Sequence, residues 1–93
     1  MIGVLTLELR LENSHSLKDK RNVVQSLKNR LRHKFNVAVA EIEPQDLWQR
    51  ATVAAVTVSS SHVFAEKVLR SVEAEAASLL GAELADATVE WLS

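Results

Sequence analysis

Cysteine is absent from the 93 residues, so this chain can build no disulfide, thiolate metal site or thiol nucleophile. That absence fits a reducing compartment, and a cytoplasmic location is the expectation. Two glycines and one proline leave no material for a glycine-rich phosphate loop and little for flexible linkers. The four aromatic residues are Phe35, Trp48, Phe64 and Trp91, so the core must come mainly from Leu, Val and Ala. No apolar run approaches the roughly 18 residues a membrane helix needs. The first residues, which include Glu8 and Arg10, lack the organisation of a signal peptide. No short-period repeat or low-complexity tail is visible, and residues 1–93 are expected to form a single domain.

What the chain does have is charge of one sign gathered in one place. Between Ser14 and Asn36 stand seven cations, Lys18, Lys20, Arg21, Lys28, Arg30, Arg32 and Lys34, against one acid, Asp19. The remainder holds four cations against eleven acids, so a net charge of −1 hides a strong dipole. A surface polarised in this way points to a polyanionic partner.

Hydrophobic periodicity orders the elements. Over residues 2–11, Gly3, Leu5, Leu7, Leu9 and Leu11 share one side, and Ile2, Val4, Thr6, Glu8 and Arg10 the other, which predicts a half-buried strand. Gly3 marks the close approach of a neighbour. Ser14 or Ser16 can cap the helix that follows. Its apolar stripe runs Leu17, Val24, Leu27, Leu31, Phe35, and Asn36 ends it. Residues 37–43 alternate again, and Glu43 to Asp46 is turn chemistry. The third strand, 50–59, is dense enough in apolar residues to be central. Serines 59–61 supply the next cap, before a second stripe of Phe64, Val68, Val72, Ala76 and Leu79. Gly81 suits a left-handed residue after that helix, and 83–92 closes as a strand. The order β-α-β-β-α-β, with right-handed crossovers, predicts an α+β ferredoxin-like βαββαβ sandwich. Such a fold is a four-stranded antiparallel sheet with two helices on one face.

Three blocks carry a resemblance. His15-Ser16-Leu17-Lys18-Asp19-Lys20-Arg21, Phe35-Asn36-Val37-Ala38-Val39-Ala40-Glu41 and Asp46-Leu47-Trp48-Gln49-Arg50 resemble the small bacterial YlxP-like family, a domain of unknown function. The likeness covers nearly the whole chain, and Leu47 stands where a more polar residue is expected. The resemblance implies a ferredoxin-like fold. It also implies a ribosome- or RNA-linked role, because family members are commonly encoded beside translation-initiation and ribosome-assembly factors. It supplies no catalytic residues.

At about 100° per residue, Lys18, Arg21, Gln25, Lys28 and Arg32 fall on one flank of the first helical stripe, and Lys20, Arg30 and Lys34 on the other. A one-sided ladder of donors permits several simultaneous phosphate contacts, and Arg adds bidentate geometry. Two plainer readings compete. The charges are a solvated face, or the acids Glu66, Glu73 and Glu75 of the second helix lie alongside and neutralise them. The open face of the sheet has no aromatic in its two central strands, which argues against base stacking there. It suits self-association by face or edge instead. Trp48, with Arg50 beside it, is either a lid over the core edge or a partner anchor; Trp91 reads as packed inside.

His15, His33 and His62 share no ligand spacing, so no metal site is expected. Serines 59–61 before His62 read as caps rather than a nucleophile, with no glycine-rich elbow around them. Glu41 and Glu43 read as solvated. The expectation is therefore a non-enzymatic RNA-binding or ribosome-associated module with no cofactor and no small-molecule substrate. It would contact phosphate through Lys18, Lys20, Arg21, Lys28 and Arg32, with Trp48 and Arg50 as a partner loop. The alternative is a protein-interaction module, a homodimer with an acidic protein partner.

Overall fold

In a computed structural model, residues 1–42 and 49–93 are described. The elements are β1 (Ile2–Arg10), α1 (Leu17–Lys34), β2 (Ala38–Ile42), β3 (Arg50–Val58), α2 (His62–Leu80), a 3-10 turn (Gly81–Glu83) and β4 (Leu84–Trp91). The strands form one sheet in the order β2-β3-β1-β4 with every neighbouring pair antiparallel. Both helices pack on the same side, α2 over β1, β3 and β4, α1 over β2 and β3. This is the ferredoxin-like architecture, with β3 central as its apolar density predicts.

Period two decides which side of β1 meets the helices. Leu5, Leu7 and Leu9 are buried, as is Leu11 just beyond the strand. Each such leucine contributes about 1.5–3 kcal/mol of hydrophobic stabilisation. Opposite them lie Val24, Leu27 and Leu31 of α1, and Leu69, Val72, Ala76 and Leu80 of α2. Gly3 is required by packing. A Cβ there would stand 2.6 Å from Trp91 Cζ3 and 2.8 Å from Leu69 Cδ1. Trp91 is half-buried against the core, and its ring lies 4.3 Å from that of His62.

Two details of the helical stripes differ from the sequence pattern. In α1 the buried line runs Lys20, Val24, Leu27, Leu31, and Leu17 stands 36% exposed. In α2 it runs Ala65, Leu69, Val72, Ala76, Leu80, leaving Phe64 and Leu79 outside. Both lines keep helical spacing, but the side chain facing the sheet at each start is not the most hydrophobic one nearby. Gly81 follows α2 with φ 58°, the positive region that glycine tolerates. Among the described residues, no helix is long and apolar enough to cross a membrane.

Candidate anion-binding face

Helix α1 begins on Ser16, whose Oγ accepts from the Asp19 backbone N–H at 3.1 Å. Asp19 returns the favour to the chain before the helix, its Oδ2 accepting from the His15 N–H at 3.0 Å. The one acid in the basic segment is thus spent on the helix start, where a carboxylate also suits the helix dipole. It does not offset the cations further along.

Those cations divide into two groups. On one flank, Arg30 Nη1 lies 3.0 Å from Glu75 Oε2, and Lys34 Nζ lies 2.8 Å from Glu75 Oε1. A single α2 carboxylate therefore clamps two α1 cations. The hydrogen bond from Lys34, followed by that from Arg30, holds the Glu75 carboxyl below the usual carboxylate range. Neutralisation by the second helix is correct for this flank, and Glu75 is the acid that does it. Glu66 pairs instead with Arg70 one turn away on its own helix.

Lys20, expected among the phosphate contacts, is not available for that role. It is 4% exposed, with Nζ 3.3 Å from Glu41 Oε2 on β2. The reason is helical phase: position 20 lies four residues before Val24, on the line that faces the sheet. Its aliphatic stem joins that line, and its ammonium meets a strand carboxylate. Glu41 correspondingly is not a solvated carboxylate. Its partner Glu43 lies outside the described residues.

The other flank keeps its ladder. Lys18 and Arg21 are exposed and Lys28 is half-buried, and among the described residues none of the three forms an ion pair. Ten residues at 1.5 Å rise spread them over about 15 Å of helix. Arg32 closes this flank, and one of its nitrogens is engaged: Nη2 donates to the Val39 carbonyl at 2.9 Å. The guanidinium retains further donors for an anion. Gln25, between Arg21 and Lys28, donates to Asn29 Oδ1 at 3.1 Å and adds no charge.

Of the expected partner loop, Arg50 opens β3 and is exposed, while Trp48 lies outside the described residues. The register adds a feature that sequence reading missed. Arg10 of β1 stands directly across from Arg50, two like charges on one face of an antiparallel pair. Only strand pairing reveals this, since forty residues separate them. The serines before α2 are occupied: Ser61 Oγ accepts from the Phe64 N–H at 3.2 Å, and Ser59 Oγ from the Ser61 N–H at 3.1 Å. His62 lies against Trp91 rather than against a serine hydroxyl. Among the described residues, no three metal-ligating side chains come together.

Comparison with known proteins places this geometry in a family. The family model described as "Protein of unknown function (DUF503)" matches residues 2–89. The uncharacterized protein YlxP of Bacillus subtilis (strain 168) is 40% identical over 91 residues, covering 98% of this chain and 99% of that one. Among solved structures, the de novo designed protein Ferredog-Diesel superposes with a TM-score of 0.53 at 12% identity, over 98% of this chain and 85% of that one. A dimeric ferredoxin-like protein of unknown function from Thermobifida fusca gives 0.51 at 14% identity, over 96% and 88%. A protein of Arabidopsis thaliana gives 0.51 at 14% identity, over 97% and 91%. At such identities the structures speak for the fold alone.

Proposed function

The chain belongs to the DUF503 family of proteins of unknown function, and from that premise we propose a non-enzymatic module that binds RNA phosphate through one flank of α1. The observation that carries the reading is the division of the helix charges. Lys18, Arg21 and Lys28 stand on one flank with no ion pair among the described residues, while Arg30 and Lys34 are clamped by Glu75. Like charges repeated along one helix flank repel each other and destabilise a bare helix. A phosphate backbone relieves that repulsion and releases its own counterions. The gene neighbourhood implied by the family resemblance supports a ribosome-linked RNA as the polyanion.

The test is retention of the purified chain on immobilised single-stranded RNA. Arg21→Glu with Lys28→Glu should abolish retention and leave the melting temperature nearly unchanged. Retention that survives the double reversal defeats the proposal. Capture of an acidic protein from nuclease-treated lysate, with no retention on RNA, would replace RNA by a protein partner.

A second reading is supported by a different surface. The sheet face opposite the helices is open and carries an apolar patch of Ile2, Val4, Val56 and Val58, which favours self-association as a homodimer. The two readings use opposite sides of the molecule and do not compete.

A further inference from the structure

We infer that a second copy of this chain covers the open face of the sheet, and that neither sheet edge takes part. This rests on the self-association reading and is independent of the phosphate reading.

On each edge strand a side chain occupies one outward backbone group. On β2, the outward carbonyl of Val39 is occupied by the Arg32 guanidinium at 2.9 Å. On β4, the Leu92 N–H donates to the Ile2 carbonyl, so by alternation the Ala87 N–H points away from β1. That outward N–H is taken by Asp86 Oδ1 at 2.9 Å. Two β4 strands paired antiparallel about Thr88 would also set Asp86 opposite Glu90, like charge against like. Side chains seated on edge backbone groups, and charges along an edge, are how sheets prevent edge pairing.

The face has the opposite character. Ile2, Val4, Val56 and Val58 line it on the two central strands, with Ile42 at one side and Leu92 at the other. Val58 is 70% exposed and Leu92 59% exposed, values that a side chain of this kind sheds on burial. The register gathers these residues into one patch, interrupted by alanine and threonine rather than by charge. Charged residues of both signs flank it: Glu90 stands beside Val4 on β4, and Arg10, Arg50, Glu8 and Asp86 gather towards the far end of the strands. An apolar patch at one end of the face, flanked by charges of both signs, combines the two elements of an interface. Both signs on one rim also let the surface meet itself across a two-fold axis, as an isologous pair requires.

The size fits as well. Strands of nine, five, nine and eight residues, at about 3.3 Å rise and about 4.8 Å spacing, make a face of about 500 Å² per copy. A pair would bury about 1,000 Å², the lower bound for a specific interface, which suits a reversible dimer. Among the described residues the face carries no aromatic side chain to act as a platform for a stacked base or ring.

The experiment is sedimentation velocity on the full chain across about a hundredfold dilution, with the apparent mass falling from twice the chain's to once as mass action requires. Val4→Glu with Val56→Glu should sediment as a monomer at every concentration. Arg21→Glu with Lys28→Glu should dimerise like the parent, which separates this inference from the phosphate reading. A wild-type measurement needs no variant to fold: amide chemical shifts followed over the same dilution should move at Ile2, Val4, Ala54 and Val56. Shifts confined to Ala38–Ile42 or to Leu84–Trp91 would mean edge pairing and overturn the inference. So would a wild-type chain that is monomeric throughout.

Discussion

Replacing Arg21 and Lys28 with glutamine should halve the salt dependence of RNA binding, and replacing Arg30 and Lys34 should leave it untouched. The structure sets the magnitude. On the proposed reading Lys18, Arg21, Lys28 and Arg32 would make about four phosphate contacts, each contributing about −0.7 to the slope of log K on log salt for single strands. The parent slope is then about −2.8, so a rise from about 50 to 200 mM salt weakens binding about 50-fold. With two contacts gone the slope is about −1.4, and the same rise weakens binding only about sevenfold. Arg30 and Lys34 lie on the far side of the apolar stripe and already hold Glu75. Their loss should lower thermal stability and leave the slope near its parent value. Arg21 and Lys28, with no ion pair among the described residues, should alter stability by no more than about 0.5 kcal/mol. Fluorescence anisotropy with a labelled oligouridylate across a potassium chloride series reads all three proteins. Equal slopes for the two double variants would refute the flank assignment. A parent slope near zero would refute phosphate binding itself.

Three other outcomes follow from the packing and the charges. Gly3→Ala forces a methyl into Trp91 and Leu69 and should cost about 1–3 kcal/mol by urea unfolding, with Trp91→Phe in the same chain recovering part of it; a loss within error would mean that α2 and β4 sit further from β1 than described. Arg50→Glu converts a like-charge cross-strand pair with Arg10 into an opposite one and should stabilise by about 0.2–1 kcal/mol. Glu75 has a depressed carboxyl pKa in the folded chain, so its contribution is present above the usual carboxylate range and is lost as pH falls through the folded value. The melting-temperature gap between the parent and Glu75→Gln should therefore be open at neutral pH and close in acid; a gap independent of pH would assign Glu75 a packing role instead.

The strands were legible because period two is a local property. The alternation of Leu5, Leu7 and Leu9 with Val4, Thr6 and Glu8 survives any arrangement in which one face of the sheet is covered. Gly3 was legible for a similar reason: a glycine inside such a strand marks close approach, and Trp91 and Leu69 supply it. The helix starts were less so. Phe64 and Ala65 are neighbours, and hydrophobicity favours Phe64 for the core, yet Ala65 is buried and Phe64 is 59% exposed. Lys20 shows the same limit. Its phase places it over β2, and only the fold shows Glu41 waiting there. The pairing of Arg30 and Lys34 with Glu75 spans more than forty residues, a relation that helix periodicity alone can allow but not assign.

The helix charges therefore separate by what they do for the fold. Arg30 and Lys34 join α1 to α2, Lys20 joins α1 to β2, and Arg32 covers the outward carbonyl of the same strand. Four cations thus suffice for these contacts, and fixing the helix does not call for seven. Lys18, Arg21 and Lys28 are the excess, and their mutual repulsion is a small cost that packing does not offset. Their position decides how the two proposed surfaces relate. The helices cover one side of the sheet and leave the other open, so a face-to-face pair would carry its basic flanks on its two outer sides. Pairing through the β2 edge would instead displace Arg32 and disturb the end of that flank. Leaving the edges unpaired would thus keep the proposed phosphate ladder intact, and pairing through the face would present it twice. Two such ladders on one particle would raise the effective concentration of the second contact on a long RNA without any new chemistry.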